Sequence, residues 1–120
     1  MIDHVTLNAS DYARSREFYR KALAPLGWRV EMEFDEEIGF GVDGHPFFWL
    51  RCGEAASPVH VAFRCADRAR VDAFHAAALK AGGEDNGVPG LRPHYHDNYY
   101  GAFILDPDGN NIEAVCHRPE

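Results

Sequence analysis

A chain of 120 residues is one domain's worth of protein and too short for a two-domain enzyme. Hydrophobic residues make up 46% and charged residues 26%, a globular average that excludes disordered and fibrous classes. Twelve basic against 19 acidic side chains, a net charge of −7, argue against nucleic acid, which is bound through lysine and arginine. No apolar run reaches the roughly 20 residues of a membrane span, and Met1-Ile2-Asp3-His4 has no basic leader. Three cysteines, Cys52, Cys65 and Cys116, without a Cys-x-x-Cys spacing point away from a disulfide framework or a thiolate zinc site; a reducing, cytoplasmic setting is expected.

In chain order, Ile2 to Ala9 alternates as a strand, with Val5 and Leu7 on one face and His4 and Thr6 on the other. Ser10 or Asp11 caps the helix that follows, whose apolar stripe is Tyr12, Phe18, Tyr19, Ala22 and Leu23, and Leu26-Gly27 stops it. Three strand-like runs come next, Trp28 to Phe34, Ile38 to Val42 and Pro46 to Cys52, and then a linker, Gly53 to Pro58. The pattern begins again with a strand at Val59 to Cys65, which places Val61 and Phe63 on one face and His60, Ala62 and Arg64 on the other. A helix capped near Asp67 carries Val71, Phe74, Ala78 and Leu79 and ends at Ala81-Gly82-Gly83. A short strand at Gly83 to Asn86 and a glycine- and proline-bearing loop are expected after it. Tyr100 to Leu105 and Asn111 to Cys116 are the closing strands, joined by the turn Asp106-Pro107-Asp108-Gly109-Asn110.

The restart is a repeat. Shifting the chain by 56 residues places His4 on His60, Val5 on Val61, Asp11 on Asp67, Ala13 on Ala69, Arg14 on Arg70, Phe18 on Phe74, Ala22 on Ala78, Leu23 on Leu79 and Gly27 on Gly83. The expected fold is therefore α+β, built from two β-α-β-β-β modules at about 1–53 and about 58–120. Neither module is large enough to bury a sufficient core alone.

Equivalent strand positions put His4 and His60 on the faces turned away from the helices. On the last strand Glu113 shares a face with Asn111 and Val115, in an apolar segment where an unpartnered charge is costly. Two imidazoles and one carboxylate form a facial set that leaves positions open for substrate or water, which suits Fe(II), Mn(II), Ni(II) or Zn(II). His45, His75 and His117 are assigned to the surface or to helix packing, and the cysteines to small apolar fillers of strands.

The twofold layout, Asp3-His4-Val5, Ser15-Arg16-Glu17-Phe18-Tyr19, His60-Val61-Ala62-Phe63 and Asp106-Pro107-Asp108-Gly109-Asn110-Asn111-Ile112-Glu113 resemble the vicinal oxygen chelate superfamily over nearly the whole chain. That superfamily includes glyoxalase I, extradiol dioxygenases, fosfomycin-resistance transferases and bleomycin-binding proteins. The resemblance implies a mixed sheet curled into a cup around a divalent metal, commonly in a homodimer, with His4, His60 and Glu113 as ligands. Glyoxalase I takes a fourth, acidic ligand from the last strand of its first module. The matching place here is Trp49, which cannot ligate and reads as a wall of the cup.

A three-ligand site of the dioxygenase or transferase kind is the implied remainder. Thr6, two residues after the first ligand, matches the transferases. His96 stands near the upstream histidine of the extradiol pattern, while Phe103 occupies that pattern's tyrosine place. In Arg92-Pro93-His94-Tyr95-His96-Asp97-Asn98-Tyr99-Tyr100, His96 or Tyr100 can serve as an acid-base group and Arg92 can hold a carboxylate or phosphate. The expected function is a divalent-metal-dependent lyase, dioxygenase or transferase acting on a small oxygenated metabolite, with Thr6, Trp49, Arg92 and Phe103 as substrate contacts. The alternative is a non-catalytic protein that sequesters an aromatic small molecule between Trp49, Phe47, Tyr99 and Tyr100.

Overall fold

Asp11 and Asp67 start the two helices in the same way. Each carboxylate accepts the backbone N–H three residues on, from Arg14 at 3.2 Å and from Arg70 at 2.9 Å, satisfying one of the free donors at a helix start. The computed structural model, which describes residues 1–120, has α1 over Tyr12–Leu23 and α2 over Arg68–Lys80. A short 3-10 turn, Ala24–Leu26, ends the first, and Gly27 at φ 84° takes the left-handed conformation that glycine adopts without strain. No helix is long and apolar enough to cross a membrane.

One strand precedes each helix and three follow it. The first module holds β1 (Val5–Ala9), β2 (Arg29–Glu33), β3 (Glu37–Val42) and β4 (His45–Cys52); the second holds β5 (His60–Arg64), β6 (Glu84–Leu91), β7 (Tyr100–Leu105) and β8 (Asn111–Cys116). Their orders are β1-β4-β3-β2 and β5-β8-β7-β6, with the opening strand parallel to the closing one in each. The mixed sheet is thus two four-stranded halves. β6 is longer than the short strand expected from the sequence: two irregularities in its pairing with β7, around Gly87, let Pro89 and Gly90 stay on the sheet edge.

A single core of 20 buried residues draws on both modules. Phe48 of β4 meets Phe63 of β5 edge to face at 5.3 Å, Trp28 lies 4.9 Å from Phe63, and α1 packs on α2. Phe18, Phe40, Phe48 and Phe74 are fully buried, each contributing roughly 1.5–3 kcal/mol. Because the apolar faces of both sheets turn inward on this shared core, their other faces turn away from it.

Polar contacts fix the docking. Tyr19 of α1 donates its hydroxyl to Asp106 in the β7–β8 turn, and the same buried carboxylate accepts Asp108 N, Asn110 N and Asn110 Nδ2 at 2.8–2.9 Å. Ser10 donates to Asp108 beside it. Burial, and then the Asp106 charge, hold the Tyr19 hydroxyl well above its ordinary value, so it remains a donor. In the second module the buried His75 places Nε2 2.9 Å from Asp85 Oδ1. That bond, then the Gly87 N–H, hold the Asp85 carboxyl below the usual range.

Tyr19→Phe removes a hydrogen bond to a buried charge and is expected to lower stability by about 2 kcal/mol, read from urea midpoints; a variant as stable as the wild type would show that the turn holds without α1. A carboxyl lowered by folding stabilises above its ordinary range and loses that contribution as pH falls through the lowered value. As pH falls through and below the ordinary aspartate range, about 4, the wild type should therefore lose stability more steeply than Asp85→Asn; parallel curves would sink the assignment.

Candidate functional site

On the open face of the second sheet, strand alternation aligns His60, Ala62 and Arg64 of β5, Glu113 and Val115 of β8, and Gly101 and Phe103 of β7. Register places Glu113 between Ala62 and Phe103. Its carboxylate is 1% exposed. Oε1 lies 2.9 Å from His60 Nε2, and Oε2 accepts the Tyr99 hydroxyl. Gly101 lies beneath both: a Cβ there would stand 3.2 Å from Glu113 Oε2 and 3.2 Å from the Tyr99 ring, so a larger residue would push the pair by a few tenths of an ångström. His60 is the one salt-bridge partner of Glu113, with no lysine or arginine beside it. Burial, and then the bond to Glu113, raise the Tyr99 hydroxyl well above its ordinary value, keeping it a donor.

The open face of the first sheet carries His4, Thr6 and Trp49. Thr6 is opposite Trp49 and Ala62 is opposite Glu113, so the shift of 56 residues that maps Thr6 onto Ala62 makes Trp49 the counterpart of Glu113. The indole lies flat over Gly39, where a Cβ would come within 2.9 Å of the ring, and Phe34 stacks on it at 6.4 Å with 10° between planes. His4 Nδ1 sits 2.7 Å from Asp3 Oδ1, leaving Nε2 free. That bond, more than the nearby His45, holds the Asp3 carboxyl low.

Of the three ligands expected from the sequence, the chain gathers His60 and Glu113 and places His4 on the other sheet. No three His, Cys, Asp or Glu side chains converge within one chain. His4 and His60 border the same hollow between β1 and β5, but His4 is paired with Asp3 and His60 with Glu113. The donor set still fits a divalent ion in part: a buried carboxylate with no cation beside it, and an imidazole nitrogen, are two of the three donors such an ion takes.

The remaining candidates surround this pair. Phe103 is 6.1 Å from the His60 ring, and the Arg92 guanidinium lies 5.5 Å over Phe103 with Nη2 donating to Val88 O at 2.8 Å. His96 Nδ1 is 3.0 Å from Asp97 O, and its ring is 5.1 Å from Tyr99 and stacked on His117 at 4.7 Å. Tyr100 is not on this face. Its hydroxyl donates to Asp72 Oδ1 at 2.6 Å and Arg68 of α2 lies over its ring, because it is one residue out of phase with Gly101 and Phe103. The neighbouring Tyr99 takes the place expected of it, and strand alternation counted back from Phe103 was the signal for that. Of the surface and helix-packing places expected for His117, it takes the first: counted on from Glu113 and Val115 it falls, half-buried, on the open face, 5.4 Å from Tyr99. Burial, then His96 and Arg64, hold its imidazole below the usual range.

A family model described as the Glyoxalase/Bleomycin resistance protein/Dioxygenase superfamily matches residues 1–114. Among solved structures, a glyoxalase/bleomycin resistance protein from Albidiferax ferrireducens T118 is 27% identical, with 97% of each chain covered and a TM-score of 0.81. A glyoxalase-related enzyme from Fulvimarina pelagi is 20% identical over 97% of this chain and 87% of its own, at 0.73. Lactoylglutathione lyase from Agrobacterium tumefaciens is 19% identical over 97% and 92%, at 0.71. No curated protein gives a match.

Tyr99→Phe leaves Glu113 Oε2 buried without its donor and is expected to cost about 1–3 kcal/mol of stability. An unchanged urea midpoint would show that Glu113 is open to water rather than sealed by Tyr99.

Proposed function

The chain belongs to the glyoxalase/bleomycin resistance protein/dioxygenase superfamily, and from that premise we propose that it is a divalent-metal-dependent enzyme acting on a small oxygenated metabolite, at a site completed by a second copy of itself. The observation that carries this is the His60–Glu113 pair, a buried carboxylate offered with an imidazole nitrogen and no balancing lysine or arginine. One open face holds two donors and the other holds His4 with Nε2 free. In an isologous homodimer the two faces are complementary halves, so that His4 of each copy meets His60 and Glu113 of the other. Trp49 at the place equivalent to Glu113 leaves a three-ligand site, open to Fe(II), Mn(II), Ni(II) or Zn(II). When bound, such an ion supplies Lewis acidity to the oxygens that chelate it.

The chain's own residues do the rest. Tyr99 holds one oxygen of Glu113 and leaves Oε1 turned to His60. Phe103 and Arg92 wall one side of the substrate space, and Thr6 and Trp49 of the second copy wall the other. His96 keeps its proton on Nδ1 against the Asp97 carbonyl, so Nε2 is the basic nitrogen available to take a proton from substrate. Lyase, dioxygenase and transferase chemistry all use this arrangement of ligands, wall and base, and free cysteines fit a reducing, cytoplasmic setting. The parallel stack of Phe34 on Trp49 favours a second reading, sequestration of a flat aromatic molecule without chemistry; ligand binding that survives chelation unchanged would select it.

Metal analysis of the purified chain should find about one divalent ion per chain, lost in His4→Ala and in Glu113→Gln. When these two variants are unfolded together and refolded as an equal mixture, half the dimers are mixed, and each mixed dimer has one intact site. About one site in four should then recover metal. A mixture that binds no more metal than its parents would refute the shared site.

A further inference from the structure

We infer that the open face of the second sheet ends in a subsite for a distal anionic group of the substrate, a carboxylate or a phosphate, held by Arg64 and Arg118 with His117. The inference rests on the reading above only for the chelating end of that ligand. Arg64 lies two residues beyond Ala62 on β5, on the same face, and His117 two residues beyond Val115. With Arg118, Cys65 and Ala66 they line a hollow of about 510 Å3. Two residues of strand advance about 7 Å, so the hollow begins one short carbon chain away from the row that holds Glu113.

Its charge is the reverse of the chain's. In a protein of net charge −7, Arg16, Arg20, Arg29, Arg51 and Arg70 each have an acid partner. Arg64 and Arg118 have none, nor do Arg14, Arg68 and Arg92, but only Arg64 and Arg118 line one hollow together. Two guanidinium groups sharing one hollow repel each other, and an anion between them relieves that repulsion. Each also presents the planar fork of N–H donors that fits a carboxylate or phosphate in two-point contact. His117, held below the usual imidazole range by burial and its neighbours, adds a hydrogen-bonding group without adding a third charge.

Three 2-hydroxy acids test this: lactate, 2-hydroxyglutarate and 3-phosphoglycerate share the chelating end and differ in carrying a distal methyl, carboxylate or phosphate. Calorimetric titration into the Co(II)-loaded protein should give at least one of the two longer acids about tenfold tighter binding than lactate, and the acid that gains more identifies the anion. The Arg64→Gln/Arg118→Gln double variant should lose that preference and bind lactate as the wild type does. Both arginines are exposed, and an unchanged urea midpoint confirms the variant's fold. Equal affinity for all three acids, or a preference that survives in the double variant, overturns the subsite. The same titrations with glutarate and inorganic phosphate in chelator, on metal-free protein, separate the two readings. Arginine-dependent anion binding in a chain that takes up no metal would sustain the subsite and remove the metal.

Discussion

One buried carboxylate joins the two halves of this chain. Asp106 accepts two backbone N–H groups and an amide from its own turn and a hydroxyl from Tyr19, so its oxygens are satisfied by hydrogen bonds without any cation. Three of those donors shape the turn that delivers β8, and the fourth comes from α1 of the other module. The position of Glu113, seven residues on, is thereby tied to the docking of the helices. The apolar faces that meet around this contact supply most of the stabilisation, but they are non-directional; the hydrogen bonds select which of many greasy arrangements is adopted.

That docking decides how the site is divided. His4 and His60 border one hollow between β1 and β5, yet His4 pairs with Asp3 and only His60 pairs with Glu113. A duplicated module brought each half its strand order and its first histidine. The two copies then differ at equivalent positions: the second has Glu113 where the first has Trp49, and Phe103 where the first has Gly39. One face is a donor set against an aromatic plate, the other an indole lying on a bare strand.

Much of this was legible in the residues. The repeat, the caps at Asp11 and Asp67, the closing strands and the opposition of Glu113 to the apolar side all follow from period-two and helical patterning, because those signals are local. Tyr99 was legible too, since alternation from Phe103 reaches it, but a residue at the start of a strand carries no flanking pattern to mark its phase. Tyr100 was the wrong neighbour for that reason. β6 hid behind Gly87 and Pro89, which read as a loop until an irregular edge pairing accommodates them. The relative facing of the two sheets was not legible at all: periodicity says which side of a strand is buried and is silent on which other surface buries it.

The core is internal to one chain, so its formation is a first-order event that chain concentration does not touch. The two outward faces belong to a different order of reaction. Whatever meets them arrives after folding and leaves on dilution, while the phenylalanines and the Asp106 turn stay in place. A partner that meets only the folded faces adds to the apparent stability as its concentration rises, so the dependence of the melting temperature on chain concentration separates that contribution from the core's own.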